Sequence, residues 1–474
     1  MTQAISPPQM RPSYYEHLRA LLLLGLPLIG SNLAQMGLHV VDTVMLGWYG
    51  VQELAAVVLA SGLFFVLFIL GSGFSYALMG RVATALGAGD ETQVRRDARM
   101  TIWLSILFGA LAMPVMWWSG AILLALGQAP AIAALVQEFL RIALFGMIPA
   151  LIVAVMKGYL SAFERTRVVL LVTVAAVAVN IAMNWLFIFG NLGMPRLGLR
   201  GAAISSVVVQ SLTALLLLAY AARVPELRRF HLFARFWRPD WEAFRAVARV
   251  GLPIGITSVF ETGFFQASAI MMGWIGTAQL AAHGIVLQLA SLAFMVHLGL
   301  SNAATVRAGR ALGARDIPRL RDGAKVALAL SLGFGLVTVA AFVLVPRPLL
   351  GLFLDHANPE SERIMIVGVG LLAVAGLFQI FDATQVVALG LLRGMQDTRV
   401  PMWIAGGSYW LVGVPASYVL AFPLGYGGVG LWLGLMLGLI CAATILIARF
   451  WRGPWLRPAQ DGPQRAGPTA IKSA

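Results

Sequence analysis

Three acidic residues stand where an acid is costly. Glu261 sits in VFETGFF, Asp42 in QMGLHVVDTVMLG and Asp382 in LFQIFDATQVVALG, each within a long apolar run. An ionised carboxylate near the centre of a bilayer costs at least ~2.5–3.5 kcal/mol, so such residues face a bundle interior or a wet cavity and mark an ion path. The chemistry on offer is reversible cation capture. A carboxylate among other oxygens suits a hard cation such as Na+, and a buried carboxylate can instead exchange a proton. The residues leave both coupling ions open.

Helical spacing gathers further polar groups beside these acids. Gln35, His39 and Asp42 share a face of one helix, as do Glu261, Phe265 and Ser268 on a second and Phe378, Asp382 and Gln385 on a third. Asn180 and Asn184, one turn apart, could offer two amide oxygens toward Asp42. Glu261, Asp382, Asp42, Asn180 and Asn184 are therefore the expected coupling set, with Gln35, His39, Ser268, Phe378 and Gln385 in support. Lone Asn and His residues also act as glue between membrane helices. Lys157, near the end of its helix, is expected to snorkel to the interface, and Arg81 and Arg307 to anchor helix ends or join the two halves.

The elements that position these groups must be membrane helices. Of 474 residues, 59% are hydrophobic and 11% charged, with a mean hydropathy of +0.84, beyond what a soluble domain of this length carries. Windows of about 20 apolar residues predict twelve spans, at roughly 18–46, 53–80, 99–126, 137–160, 167–190, 200–222, 245–275, 280–305, 324–347, 364–391, 400–422 and 427–450. The first is too long for a signal peptide and lacks a small-residue cleavage site, so it is expected to be retained.

Positive charge alternates between loops. Arg95, Arg96, Arg99, Arg165 and Arg167 fall on one side, together with the run Arg223, Arg228, Arg229, Arg235 and Arg238 and the tail arginines, including Arg457. The positive-inside rule then predicts both termini in the cytoplasm. The net charge of +14 thus reports topology, and no basic face interleaved with aromatics suggests nucleic acid as a partner. The lone cysteine, Cys441, forms no intrachain disulfide and supplies no metal-ligand spacing. With His39, His283 and His297 scattered and no HExxH, neither an enzyme nor a cofactor is expected.

The chain repeats itself. GLP at 25–27 returns at 251–253, and the same shift pairs MLGWYG at 45–50 with MMGWIG at 271–276 and RVATALGAGD at 81–90 with RAGRALGARD at 307–316. After a small insertion GYLSAFERTR at 158–167 matches GLLRGMQDTR at 390–399. Glu261 falls on Gln35 and Asp42 on Ser268, so the halves differ in charge. Two six-helix lobes follow, related by a pseudo-twofold axis along the membrane normal and able to rock around a central cavity. The expected division is a cytoplasmic N-terminus (1–17), an N-lobe (18–222), a cytoplasmic linker (223–244), a C-lobe (245–450) and a disordered tail (451–474). Pro27 and Pro253 occupy equivalent places and can bend their helices, although Pro253 falls near the predicted start of its span.

Taken together, QMGLHVVDTVMLG, NIAMNWLFIFG, VFETGFF and FQIFDATQVVALGLLRGMQDTRVP resemble the multidrug and toxic compound extrusion family in its NorM-like branch, over about residues 14–450. The resemblance implies a monomeric multi-pass exporter of the bacterial inner membrane. Its partners would be membrane lipid and small drug-like molecules, large, amphipathic and often cationic, exchanged for inward Na+ or H+. It further implies an acid and Asn site in the N-lobe around Asp42, and a cation site in the C-lobe on Glu261 and Asp382, the Na+ ligands if sodium is the coupling ion. One departure stands out: some relatives carry a tyrosine one turn before the helix-10 acid, where this chain has Phe378. The nearest rival is a flippase for lipid-linked saccharides, which would need several Arg or Lys along its cavity for pyrophosphate. A pore is the other, and it lacks ring symmetry here.

Overall fold

The computed structural model describes residues 13–232, 234, 236–354 and 360–456. Arg235, Arg457, the first twelve positions of the N-terminus and the tail beyond Leu456 lie outside them. Twelve helices are long and apolar enough to cross a membrane. They are α1 (Tyr14–Tyr49), α2 (Val51–Ala88), α3 (Glu91–Trp117), α4 (Pro130–Ala162), α5 (Thr166–Phe187), α6 (Leu199–Arg223), α7 (Trp241–Ile275), α8 (Thr277–Gly313), α9 (Ile317–Leu344), α10 (Glu360–Gly394), α11 (Arg399–Ala421) and α12 (Gly427–Arg452). Most run past the apolar windows because their polar ends continue as helix. The third is shifted: α3 begins at Glu91 and stops at Trp117, and Ser119–Ala125 forms a separate short helix.

Local chemistry explains where helices stop and start. The repeated motif ends each time in a left-handed residue, Gly89 (φ 71°) or Arg315 (φ 57°). An aspartate then caps the next helix. Asp90 accepts from Gln93 N at 2.9 Å and Asp316 from Arg319 N at 2.9 Å, satisfying donors that a helix start leaves open. Glu164 (φ 62°) and Gln396 (φ 59°) play the left-handed part in the second repeated motif. The duplicated sequence is thus a duplicated helix junction.

The same pairings recur in the two halves: α2 packs on α4 as α8 does on α10, and α4 on α6 as α10 does on α12. One feature crosses between them. Leu21, Leu24 and Leu28, in the lower half of α1, are buried in the core of the second bundle, while Val247, Val250 and Ile254 of α7 pack with Phe74 and Leu104 of the first. Pro27 and Pro253 lie at these crossings. Pro253 is well inside α7 and buried, not near a helix end, because α7 starts at Trp241.

At the end carrying the termini the bundles meet backbone to backbone. A methyl group on Gly73 would strike Gly251 O, and one on Gly313 would strike Thr84 O. Arg81 reaches Gln396 Oε1 at 3.3 Å, Arg307 reaches His17 Nδ1 at 2.9 Å, and Arg96 grips Asp240, the cap of α7, at 2.5 and 3.1 Å. Toward the other end Gly37, Gly62 and Gly284 face open space. The bundles are closed at the terminal end and part at the opposite one. Residues 451–456, expected as part of the tail, pack on the bundle: Leu456 is buried, its carbonyl accepts from Arg321 at 2.8 Å, and Trp455 donates to Phe450 O at 3.1 Å.

Candidate functional site

Two polar clusters lie inside the bundles, one in each half. In the first, α1 presents Asp42 to α5 and α6. Asn184 Nδ2 donates to Asp42 Oδ1 at 2.6 Å, Asn180 Nδ2 to the same oxygen at 3.1 Å, and Ser206 Oγ to Oδ2 at 3.4 Å. Both asparagines are buried. Their orientation corrects the sequence expectation: the amide nitrogens, not the oxygens, turn toward Asp42, since a carboxylate only accepts. The freed oxygens point elsewhere; Asn180 Oδ1 takes Asn184 at 3.4 Å and Asn184 Oδ1 is buried without a partner.

Asp42 lies on the wall of a cleft, together with Gln35, His39, Ser61, Phe64 and Gln210. The His39 ring is exposed, beside Asp42 and one turn below it. One carboxylate among aromatic and amide groups suits an amphipathic cation, because polar groups orient such a ligand while apolar walls hold it.

Lys157 departs from expectation. Instead of snorkelling to the interface it extends inward, and its Nζ donates to Gln35 Oε1 at 2.7 Å. One turn earlier on the same helix, the Ala154 carbonyl accepts from Ser75 Oγ of α2.

In the second cluster α7 and α10 bring Glu261 and Asp382 together with Gln385. Gln385 Nε2 donates to Glu261 Oε1 at 3.4 Å. Asp382 is 3% exposed, accepts no hydrogen bond from a described residue, and lies within electrostatic reach of Glu261. Two buried carboxylates within electrostatic reach, one with a single long hydrogen bond and the other with none from a described residue, invite a shared cation or proton. Gln385 Oε1, buried and unpartnered, adds a neutral oxygen. Among the described residues no group of three or more His, Cys, Asp and Glu could hold a metal ion, so any Na+ here would complete its shell with amide and hydroxyl oxygens.

Two expected supporters stand aside. Ser268 Oγ bonds Phe265 O at 2.6 Å and lies 3.4 Å from His283 Nε2, whose Nδ1 takes the Trp432 indole at 3.1 Å. Ser268 belongs to that buried knot, about two turns beyond Glu261 on α7. Phe378 packs edge-on to Phe265 (6.0 Å) and Trp432 (5.5 Å) and walls the site without a polar atom.

Sequence reading missed two members. Tyr409, from a π-helical turn at Ser408–Gly413, is fully buried and stacks on Phe264 at 5.1 Å and 11°. Its hydroxyl has no partner, and Glu261 and Asp382 both act on it electrostatically. Arg393, in the last turn of α10, is 9% exposed and acts electrostatically on Glu261 across the interior. The signals were an isolated tyrosine in GGSYW and an arginine interrupting LGLLRG; π-turns cluster at functional sites.

Twelve apolar spans around intramembrane acids define a multi-pass helical membrane protein. The MatE family model matches residues 27–186 and again 253–419, each match starting at a proline that the repeat makes equivalent, and the chain belongs to that family. It is 45% identical over 440 residues to "Probable multidrug resistance protein NorM" of Rhizobium meliloti (strain 1021), covering 93% of this chain and 94% of that one. A protein of the same description from Agrobacterium fabrum is also 45% identical, over 438 residues, covering 92% and 94%. Among solved structures, the fold matches "Crystal structure of eukaryotic MATE transporter AtDTX14" with a TM-score of 0.83 at 19% identity, covering 94% of this chain and 97% of that one. It matches "Outward-facing conformation of a multidrug resistance MATE family transporter of the MOP superfamily" with a TM-score of 0.83 at 21% identity, covering 92% and 95%.

Proposed function

We propose that the protein is a secondary active multidrug efflux antiporter of the bacterial inner membrane, acting as a monomer with both termini cytoplasmic. It exports amphipathic, often cationic compounds in exchange for inward Na+ or H+. The observation that carries this reading is the pairing of Glu261 with Asp382 in an interior without donors to Asp382, separate from the Asp42 cleft. One cluster takes the coupling ion and the other accommodates the exported compound. The description of the relatives as multidrug resistance proteins supports the substrate class.

Exchange requires that each ligand bind the two facing states unequally. With the termini in the cytoplasm, the closed end is the cytoplasmic one and the cleft opens outward. A cation entering from outside neutralises the Glu261–Asp382 pair and favours release of the compound outward; a compound entering from the cytoplasm favours release of the ion. The cleft wall holds no Arg or Lys, which weighs against a pyrophosphate-linked saccharide as cargo.

The test is dye uptake into everted vesicles with Na+ and H+ gradients imposed separately. Glu261→Gln and Asp382→Asn should reach the membrane in normal amounts yet lose gradient-driven transport. Unimpaired transport in both would remove these acids from coupling and end the proposal.

A further inference from the structure

The repeat carries a substitution that leaves positive charge uncompensated. In the first half Arg81 grips Asp97 with two bonds, Nε to Oδ2 at 3.0 Å and Nη2 to Oδ1 at 2.9 Å, and Gln93 Nε2 donates to Oδ1 at 2.8 Å. That carboxylate is fully buried. The register that pairs Arg81 with Arg307 sets Gly323 on Asp97 and Arg319 on Gln93. A charge-balanced cluster in one half thus becomes a pair of guanidiniums without the acid in the other.

The fold keeps the room that this exchange opens. Arg307, Arg319 and Gly323 line one small cavity together with Leu320, Ala324 and Leu391. Arg307 Nε, whose counterpart in Arg81 binds Asp97, is buried and has no partner among the described residues. Its Nη2 meets the His17 ring, Nδ1 at 2.9 Å. The acids nearby are engaged elsewhere. Glu164, which also acts on Arg307 electrostatically, pairs with Arg310 at 2.8 Å, Asp322 pairs with Lys325 at 3.6 Å, and Asp316 caps α9. Arg319 and Arg310 both act against Arg307, and a partly buried cation without a counter-charge is costly.

We infer that Arg307 and Arg319 form a binding site for a chloride-sized anion, which takes the place that the Asp97 carboxylate holds in the other half. The two guanidiniums supply charge-assisted donors. Gly323 supplies the room: a Cβ there would stand 3.6 Å from His17 Nδ1, so any longer side chain would reach into the site. The cavity accommodates about one water-sized group, which suits a monatomic anion better than sulfate or phosphate. Because His17 opens α1 and Arg307 lies on α8, the anion would strengthen the junction of these helices with α9 at the closed end. The site shares no residue with either acid cluster and does not depend on the efflux reading.

The experiment follows melting of the purified full-length protein in detergent, at fixed Na+ and ionic strength, while chloride replaces gluconate. A ligand that binds only the folded form raises the melting temperature with the logarithm of its concentration once sites fill. Wild type should gain a few degrees, and bromide should act alike. Gly323→Asp, which restores the carboxylate of the first half, should melt in gluconate as wild type does in chloride and lose the dependence. Arg319→Gln, the exchange that the repeat itself displays, should need about tenfold more chloride for the same gain, the worth of one charge-assisted bond. Melting of wild type that ignores chloride, or a full chloride response in either variant, would overturn the site. A response to sulfate or phosphate and not to chloride would overturn its size class. Should Gly323→Asp not fold, the wild-type and Arg319→Gln titrations decide.

Discussion

Arg393 of α10 lays its guanidinium over the ring of Tyr76 in α2, 5.0 Å from the centroid. One face of this buried cation thus belongs to the opposite bundle, while its charge acts on Glu261 within its own. Any change of charge at Glu261 alters what holds Arg393 against Tyr76. The contact lies beside the closed end, where Gly80 of α2 abuts the Arg393 carbonyl.

Tyr76→Leu should loosen that end. A cation–π contact contributes about 0.5–2 kcal/mol, enough to shift a two-state balance by roughly two- to thirtyfold. Spin labels placed on the ends of α2 and α10 should report a longer distance population; an unchanged distribution would show that the contact does not bias the closed form.

Tyr409→Phe removes the orphaned hydroxyl and keeps the ring stacked on Phe264. Melting in detergent should stay within about 0.5 kcal/mol of wild type, since no hydrogen bond is lost. The ion concentration for half-maximal dye transport should rise severalfold if the hydroxyl helps complete the shell around Glu261 and Asp382. Overlapping ion titrations would exclude it.

Asn184→Ala strips Asp42 of its shortest hydrogen bond, at 2.6 Å. Bonds to charged groups contribute about 1.5–3 kcal/mol, so both the melting temperature and the affinity for a cationic dye should change. Wild-type values for both would mean that Asn180 and Ser206 suffice.

Acid should weaken the closed end through Asp240. Its two hydrogen bonds from Arg96, at 2.5 and 3.1 Å, hold its carboxyl below the usual carboxylate range. A depressed folded-state value means that this stabilisation is fully present above the unfolded value of about 3.9 and is lost as pH falls through the lower, folded one. The melting temperature of wild type should therefore drop more steeply below about pH 4 than that of Asp240→Asn; parallel curves would contradict the assignment.

Much of this architecture could be read from residue order. Apolar windows located every span, because the length needed to cross a bilayer is set by its thickness. The interior acids were visible because a charge in an apolar run has few physical explanations, and the repeat was visible as matched motifs, although the Asp90 and Asp316 caps within it emerged only from the structure. Side-chain direction was not legible. Lys157 could reach either way along its helix, and only the structure shows it turned to Gln35. The asparagine amides were expected with the wrong atoms forward because spacing fixes which residues meet, not which end of an amide faces the partner. Tyr409 turns inward through a π-helical turn that no periodic pattern anticipates. Where the lower halves of α1 and α7 pack was equally hidden, since hydropathy reports that a face is apolar and not what covers it.

That exchange of lower halves means neither six-helix segment is complete alone. Cut free, the first would leave Leu21, Leu24 and Leu28 without the leucines and alanines that enclose them, and the second would bare Val247 and Ile254. The linker is thus no seam between two self-sufficient cores, and whatever rocking occurs must pivot on helices that each side has lent to the other.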